Sequence, residues 1–368
     1  MINYKKNPYI FNICAVGNIL ERNIFLIVNI ITLISAYFID FKAGTAASII
    51  ILITLLLNFK CWLYLYINKA FFIYIFANLF SIYAYMCNGR PFILFIKSIS
   101  YNIIPSLIFL LGGNSARKGD SNIFKRILIS NIIIILFGFI VLLVPSLAIA
   151  VGDEYLQVTD FGFRFGSYLS SLPMGSVVVA SIPMLFMSTK NLKRPIIATF
   201  MVIIMISLVL TMQRGAWVVG IIAFSLCLIV DIKSSRYKIS KSFGQIIVVI
   251  VLVILFNYIY VTYFPDNLQL FFKRRLEDTN SKMFTSRTYQ WKNAIYIFLK
   301  YPLGYGLGAV GNKASAYGLQ IIPDGNYFRI LVETGIIGFI SFIALNVKTI
   351  IIAIRRNQLY LTILLLTF

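Results

Sequence analysis

Residues 127–149 read ILISNIIIILFGFIVLLVPSLAI, a stretch of 23 residues without a charged side chain. A helix needs roughly 20 mainly apolar residues to cross a hydrocarbon core about 30 Å thick, so this stretch is long enough to span a membrane. Lys125 and Arg126 stand immediately before it. An apolar run with basic residues at one end is typical of a transmembrane helix whose basic end faces the cytoplasm.

The same pattern recurs along the whole chain. We expect further spans near residues 23–39, 43–58, 70–87, 91–111, 173–189, 195–212, 215–231, 244–262 and 327–347. The apolar tail from Leu359 to Phe368 is too short to cross a membrane alone, which suggests that the natural chain continues beyond it.

Composition excludes a soluble globular protein. Of the 368 residues, 60% are hydrophobic and 12% are charged, and the mean hydropathy is +0.89. A soluble domain has roughly 45–50% apolar and about 25% charged residues. The sequence therefore predicts an all-α fold, a polytopic membrane helix bundle of about 10–12 transmembrane helices. We expect residues 1–368 to form a single integral membrane domain.

The basic residues indicate the orientation. There are 33 Lys and Arg residues against 12 Asp and Glu, a net charge of +21. With the N-terminus in the cytoplasm, most of the basic residues fall in the inner segments, whereas the short outer turns hold only Lys42, Arg90, Arg164 and Arg214. This asymmetry predicts a multi-pass membrane protein with a cytoplasmic N-terminus. The excess charge then reflects orientation and attraction to anionic lipid, and we expect no nucleic-acid partner.

Several kinds of chemistry are excluded by residue types. The chain has no histidine, which rules out a His-based catalytic triad and His-ligated metal sites. Its four cysteines are scattered without a CxxC pair, so neither a zinc cluster nor a disulfide framework is indicated. We expect no cofactor and no metal.

One connection, residues 263–326, is far longer than the others and is predicted to be extracytoplasmic. Loops of this length are usually functional. We expect Ser286 to cap a short helix that runs to about Lys300 and stops before Pro302. Four residues of this helix share one face, which predicts an amphipathic helix lying on the membrane surface. A simple interfacial anchor is the alternative. That face holds Arg287, Trp291, Ala294 and Phe298.

A glycine-rich run follows at residues 304–311, GYGLGAVG. It contains a formal GxGxxG motif at Gly306, Gly308 and Gly311, but no βαβ unit surrounds it, so we reject a dinucleotide site. The glycines predict a tight re-entrant turn and a close approach of the backbone to a ligand, and a plain flexible loop is the alternative.

Asp324 precedes a helix predicted to begin near Tyr327. It could serve only as the N-cap of that helix, although a helix N-terminus at the outer face also attracts anions. Arg329 and Glu333 have the i, i+4 spacing of an ion pair. Gly335 and Gly338 would allow a neighbouring helix to approach closely.

Three arginines lie at the predicted extracytoplasmic face: Arg164, Arg214 and Arg287. A charge within the bilayer costs about 2.5–3.5 kcal/mol, less near the interface. Snorkelling to lipid headgroups would explain each arginine singly. Together they form a set of guanidinium groups that can bind phosphate oxygens in a bidentate manner, and a lipid-linked pyrophosphate is the ligand that fits.

Five segments carry a resemblance to a known family. They are RFGSY at 164–168 with MG at 174–175, TMQRGAW at 211–217, SRTYQW at 286–291, PLGYGLG at 302–308 and DGNYFRILVETG at 324–335. In these segments the chain resembles the O-antigen polymerase and ligase superfamily of bacterial membrane glycosyltransferases, over roughly residue 70 to the end. Ligases of this superfamily normally carry a histidine where this chain has Asp324, so the resemblance favours a polymerase of the O-antigen, capsule or exopolysaccharide type.

The resemblance implies oligosaccharide repeat units linked to undecaprenyl pyrophosphate as substrates, joined at the outer face of the membrane. Arg214 and Arg287 would act in catalysis, and Asp324 or Glu333 would accept the proton of the attacking sugar hydroxyl. No metal is demanded, because the arginines supply positive charge. The bilayer would be a partner, and a chain-length regulator is a further candidate. The residues expected to bind substrate are Arg164, Trp291, Gly304, Tyr305, Gly306, Asn326 and Tyr327.

Two other functions compete with the polymerase. An O-antigen ligase would transfer the glycan to a different acceptor. A flippase or other transporter for lipid-linked oligosaccharides is the alternative from another class. Transporters tend to have repeated halves and broken helices, and the sequence indicates neither, which favours an enzyme.

Overall fold

The computed structural model describes residues 23–31 (except 25 and 29), 43–57, 69–88, 92–99, 103, 107, 122–144, 158–159, 162–163, 165, 171–189, 192–211, 213–234, 282–310 and 326–366. The helices are α1 (Ala43–Leu57), α2 (Lys69–Asn88), α3 (Phe92–Ser98), α4 (Ile123–Leu143), α5 (Ser171–Ser188), α6 (Arg194–Leu210), α7 (Arg214–Ser234), α8 (Lys282–Lys300), α9 (Asn326–Arg355) and α10 (Leu359–Leu366). Within these described residues, one antiparallel pair of two-residue strands, β1 (Val158–Thr159) and β2 (Gly162–Phe163), accompanies the helices. The predicted all-α fold is confirmed.

Two of the described helices are long and apolar enough to cross a membrane. They contain the candidate spans Ile123–Val141 in α4 and Tyr327–Arg355 in α9. Shorter apolar helical stretches occur at Phe71–Tyr83, Met174–Ser188, Arg194–Leu210 and Gly215–Asp231. These helices are consistent with a membrane helix bundle. The number of spans, the orientation and the division into domains stay predictions.

α3 lies within the expected span 91–111, and most of the rest of that span is outside the described residues, as is the whole of the expected span 244–262. The bounds of α9 differ from the prediction. α9 continues eight residues beyond its predicted end at 347. It ends where Asn357 adopts a positive φ of 52° and the Gln358 N–H donates to the Ala353 carbonyl at 2.9 Å, an arrangement typical of a Schellman cap.

The chain divides into two compact units, which are described separately. Unit 1 comprises Met1–Ser35, Phe41–Asp120 and Asn280–Thr349, and unit 2 comprises Ala36–Asp40, Ser121–Thr279 and Ile350–Phe368. In unit 2, α5 is the central helix, because it packs against α4, α6, α7 and α10. Its Ile182 and Leu185 are fully buried, and the Asn131 amide of α4 donates to its Ser181 hydroxyl at 3.1 Å.

In unit 1 the hydrophobic core joins α1, α2, α3, α8 and the first part of α9. Its fully buried members include Leu55, Phe71, Ala294 and Val332. The face of α8 that contains Ala294 and Phe298 therefore packs on protein. The prediction that this face lies on the membrane surface is wrong, because the residues of α2, α3 and α9 offered it an apolar surface that spacing alone does not reveal.

The bounds of α8 correct a second expectation. The helix ends at Lys300 as predicted but begins at Lys282, so Ser286 lies inside it and is not its N-cap. The outward side of α8 carries large exposed side chains instead, among them Tyr289, Tyr296 and Leu299. An amphipathic helix is present within the predicted loop, and the Ala294 side of it packs on protein.

α9 is broken at Gly335, which has φ 67° and ψ −167°. A break leaves main-chain N–H and C=O groups without helical partners, and within a membrane water cannot replace those partners. The glycine loop (residues 301–310) supplies them. Tyr305 N–H donates to the Val332 carbonyl at 2.7 Å, Gly306 N–H to the Glu333 carbonyl at 3.2 Å, and Ile336 N–H to the Pro302 carbonyl at 3.0 Å.

This break overturns two expectations from the sequence. A broken helix is present, although none was expected. Gly335 is approached by a loop and not by a neighbouring helix, since a β-carbon there would lie 2.6 Å from the Gly304 nitrogen. Gly338 makes room within its own helix, because a β-carbon there would strike the Thr334 side chain.

Gly335→Ala is expected to destabilise the protein. A non-glycine residue in this region of φ and ψ costs about 1–3 kcal/mol, and the contact with the glycine loop adds to that cost. The thermal midpoint of the detergent-solubilised variant, followed by fluorescence-detected size-exclusion chromatography, should fall by several degrees. Gly215→Ala is the control, because a β-carbon at Gly215 meets no atom within 4 Å. An unchanged midpoint for Gly335→Ala would contradict the observed break.

Candidate functional site

Glu333 lies at the centre of the contact between α9 and the glycine loop. Its side chain is 3% exposed, within the helix that forms a candidate membrane span. The carboxylate accepts hydrogen bonds from the backbone N–H groups of Gly308 and Val310. A buried carboxylate is stable only when it is paired and hydrogen-bonded, and this one takes its donors from the loop backbone.

Arg329 completes the charge balance around Glu333. It lies one helical turn earlier in α9, and its guanidinium interacts electrostatically with the Glu333 carboxylate. The predicted i, i+4 pairing of these residues agrees with this interaction. Tyr74 of α2 lies within electrostatic range of both groups and is hydrogen-bonded by Asn78. The site thus joins α2, α9 and the glycine loop.

The glycines of the loop shape it around α9. Gly304, Gly306 and Gly308 have φ values of 113°, 118° and 80°, which strongly favour glycine. A β-carbon at Gly304 would lie 2.8 Å from the Glu333 carbonyl oxygen, and one at Gly308 would strike the Ser98 hydroxyl of α3. The predicted tight turn and close backbone approach are both present. The backbone approaches α9 and α3, where the sequence suggested a ligand.

α8 and the loop that follows it contact α9 at two successive levels. The Trp291 and Phe328 rings stack with centroids 5.6 Å apart and an interplanar angle of 21°. Further along both helices, the loop that follows α8 is bonded to residues 332–336 of α9. The contacts therefore follow the same order along both segments, and the Trp291 contact lies four residues after Arg287 in α8 and two residues after Asn326 in α9.

The three aromatic residues predicted to stack on sugars have different surroundings. Trp291 is 37% exposed and Tyr327 is 48% exposed, so both rings are accessible in part. Tyr305 is only 8% exposed and its ring packs against Tyr301 at 5.0 Å. Its enclosure favours a packing role for Tyr305. The N–H groups of Gly304 and Gly306 are bonded to main-chain carbonyls of Tyr301 and Glu333, so both residues shape the loop.

In unit 2, one end of the helix bundle carries the neighbours of the other two arginines. Phe165, next to Arg164 in sequence, is buried and contacts Phe139 near the end of α4 with centroids 5.0 Å apart. Gly175, near the start of α5, lies so close to Gln213 that a β-carbon would strike its side-chain amide. Arg214 follows Gln213 directly and begins α7.

Several predicted site residues cannot be placed in full. Arg164 and Asp324 lie outside the described residues, as do the side chains of Arg214, Arg287 and Asn326. The shared cationic pocket therefore stays a prediction. Within the described ranges, no group of three or more Cys, Asp or Glu side chains has an arrangement that could hold a metal ion.

The sequence reasoning missed the role of the Gly308 and Val310 N–H groups as donors to Glu333. The sequence did contain a signal for the positive φ at Gly308, because a GxGxxG motif away from any nucleotide fold indicates a loop with unusual backbone angles. No signal in the sequence indicated that Tyr74 and Ser98 belong to the site, because they lie more than 200 residues before Glu333 in the chain.

The sequence of this chain matches one protein family over part of its length. The sequence profile of a family described as O-Antigen ligase matches residues 199–343. The chain resembles that family. Its match runs from α6 to the broken helix α9 and includes Arg214, Arg287, Asp324 and Glu333. Searches of curated proteins and of solved structures found no match.

The match confirms the predicted resemblance for the four segments between residues 211 and 335, while the segment at 164–175 lies outside it. It supports a membrane-embedded enzyme of the O-antigen ligase or polymerase type. Ligase and polymerase are equally consistent with it. Tyr74 and Ser98 of the candidate site also lie outside the matched residues.

Phe165→Ala is expected to destabilise unit 2 and to release the segment next to Arg164. Removing a buried phenylalanine side chain typically costs about 3–5 kcal/mol. Leu143→Ala in α4 is the control, because Leu143 is 79% exposed. Thermal midpoints of the two purified variants in detergent provide the measurement. Equal midpoints would show that Phe165 does not anchor this segment.

Proposed function

We propose that the protein is a polysaccharide polymerase that joins oligosaccharide repeat units carried on undecaprenyl pyrophosphate at the outer face of the bacterial plasma membrane. The observation that carries this proposal is the composition of the matched segment. It includes Arg214, Arg287, Asp324 and Glu333, in a chain without any histidine. Since the family resemblance gives ligases a histidine at the position of Asp324, its absence favours the polymerase.

The proposed reaction is a transfer of the growing glycan to a new repeat unit. A hydroxyl oxygen of the acceptor sugar attacks the anomeric carbon of the growing chain. The new glycosidic bond forms, the bond from that carbon to the phosphate oxygen breaks, and undecaprenyl pyrophosphate leaves with the bonding electrons. The hydroxyl proton passes to a carboxylate. Two substrates held by one protein make the attack effectively intramolecular, which lowers its entropic cost.

Arg164, Arg214 and Arg287 are proposed to hold the pyrophosphate and to stabilise the charge that develops as it leaves. The order of the contacts that α8 and the glycine loop make with α9 supports part of this arrangement. It brings the start of α8, which carries Arg287, to the end of α9 that Asp324 precedes. Asn326, at the first position of α9, and the partly exposed Trp291 and Tyr327 are proposed to contact the sugars.

Asp324 is the better candidate for the residue that accepts the proton. The Glu333 carboxylate is buried and already accepts two hydrogen bonds from the glycine loop. A general base must lie within hydrogen-bond reach of the hydroxyl that it deprotonates. The surroundings of Glu333 favour a different role, although a base function for it was the alternative from the sequence.

Deletion of the gene tests the proposed function. Surface polysaccharide is separated on a gel, and lipid-linked glycans are extracted and sized. Loss of polymer with single repeat units on the usual acceptor supports a polymerase. Polymer that accumulates on the lipid carrier and is absent from the acceptor would indicate a ligase. Repeat units retained in the cytoplasmic leaflet would indicate a flippase, and the last two outcomes overturn the proposal.

Arg287→Ala and Arg214→Ala are each expected to abolish long polymer while the protein remains inserted. The loss of one donor to the developing charge typically costs about 10²–10³-fold in kcat. Lys292→Ala is the control on α8, since Lys292 is exposed on the same helix, and Arg194→Ala is the control at the start of α6. Complementation of the deletion strain provides the measurement. Full-length polymer from Arg287→Ala would contradict the assignment.

Chelation is expected to leave the activity unchanged, because the arginines are proposed to supply the positive charge. The purified protein would be assayed with lipid-linked repeat units from the deletion strain, in EDTA and in added Mg²⁺. Equal rates in the two conditions are expected. A rate that collapses in EDTA and returns with Mg²⁺ would show that a metal takes part.

A further inference from the structure

Glu333 is a buried charged group to which the proposed reaction assigns no step. Its contacts come from two parts of unit 1, the glycine loop and the preceding turn of α9. Gly308 and Val310 donate backbone N–H groups to the carboxylate, and Arg329 faces it from one turn earlier in α9. Its main-chain carbonyl accepts the Gly306 N–H at 3.2 Å. Side chain and main chain of this one residue therefore bind three different positions of the glycine loop.

The glycine loop is held equally closely on its other side. A β-carbon at Gly308 would lie 3.0 Å from the Leu94 carbonyl oxygen of α3. Leu307 and Ala309 are buried in the core cluster that also contains Ala294 and Ile297 of α8. The loop continues α8 directly, because α8 ends at Lys300 and Gly304 N–H donates to the Tyr301 carbonyl at 3.0 Å. Any shift of the loop would therefore move the end of α8.

We propose that Glu333 is a positioning residue, which fixes the glycine loop on the broken helix and thereby holds α8, with Arg287, in register with the start of α9. This inference rests on the proposed function for the role of Arg287. Two N–H groups bonded to one carboxylate fix the backbone at Gly308 and Val310. Hydrogen bonds to an ionised acceptor are roughly twice as strong as neutral ones, and Arg329 balances the buried charge.

A purely apolar residue at position 333 could not replace these contacts. It would leave two buried N–H groups without acceptors, and the loop could satisfy those groups only by moving. Glutamine provides an intermediate case, because its amide oxygen still accepts hydrogen bonds from the loop while the charge is lost. Glu333→Ala and Glu333→Gln therefore separate the acceptor function from the charge.

Hydrogen–deuterium exchange of the full chain in lipid nanodiscs measures the first consequence, independently of activity. Peptides covering residues 301–310 should exchange slowly in the wild type, at an intermediate rate in Glu333→Gln and fastest in Glu333→Ala. Asp231→Asn is the control, because Asp231 accepts the Tyr360 hydroxyl at 3.4 Å within unit 2. It should leave the exchange of residues 301–310 unchanged. Unchanged exchange in Glu333→Ala overturns the proposal.

Initial rates with lipid-linked repeat units from the deletion strain measure the second consequence. A misplacement of about 1 Å can cost about 100-fold in rate, so Glu333→Ala should lower kcat by up to that factor. The KM should change far less, because Glu333 does not bind the substrate. Glu333→Gln should retain more than about a tenth of the wild-type kcat, since it keeps the acceptor for the loop.

The outcomes distinguish the alternatives. If Glu333→Gln is as inactive as Glu333→Ala while its loop exchanges at the wild-type rate, Glu333 acts as a base and positioning is wrong. If both variants lose folded protein but keep the wild-type rate per folded molecule, its role is only structural. If the wild-type protein shows no polymerase activity but the exchange rates follow the expected order, the proposed function fails while the positioning of the loop stands.

Discussion

Unit 1 depends on one requirement, that the main-chain groups exposed by the break at Gly335 find partners. In a helix that crosses a hydrocarbon layer, each unsatisfied N–H or C=O group costs several kcal/mol. The loop of residues 302–306 supplies these partners, with Tyr305 and Gly306 donating to one half of the helix and Pro302 accepting from the other. The fold therefore cannot keep the break without the loop.

Much of this fold follows from patterns that are local in the sequence. The apolar runs gave most of the described helices within a few residues, and the end of α8 before Pro302 was correct because proline disfavours a helical residue before it. The glycine run indicated a tight turn because glycine readily adopts positive φ. These features are decided by neighbours along the chain, so spacing and residue type are sufficient to predict them.

The incorrect expectations concern contacts between distant segments. The Ala294 face of α8 was assigned to the membrane because its partners on α2, α3 and α9 come from other parts of the sequence. Gly335 is followed closely by Gly338, and two nearby glycines suggest close packing of a neighbouring helix. Nothing in the local sequence distinguishes such packing from a break in the helix. The site was found only in part for the same reason: Glu333 and Arg329 are neighbours in α9, whereas Tyr74 and Ser98 are not.

A broken helix is also a feature of transporters, so the break must be weighed against the proposed enzyme. In transporters the ends of half-helices face a cavity and bind the substrate or its ions. Here the carbonyls of Val332 and Glu333 and the N–H of Ile336 are bonded to the glycine loop. Those groups are occupied by the protein itself, and opening them to a substrate would require displacing the loop. The break therefore serves to hold a loop and the helix before it, a function that a rigid catalytic site requires more than an alternating transport pathway does.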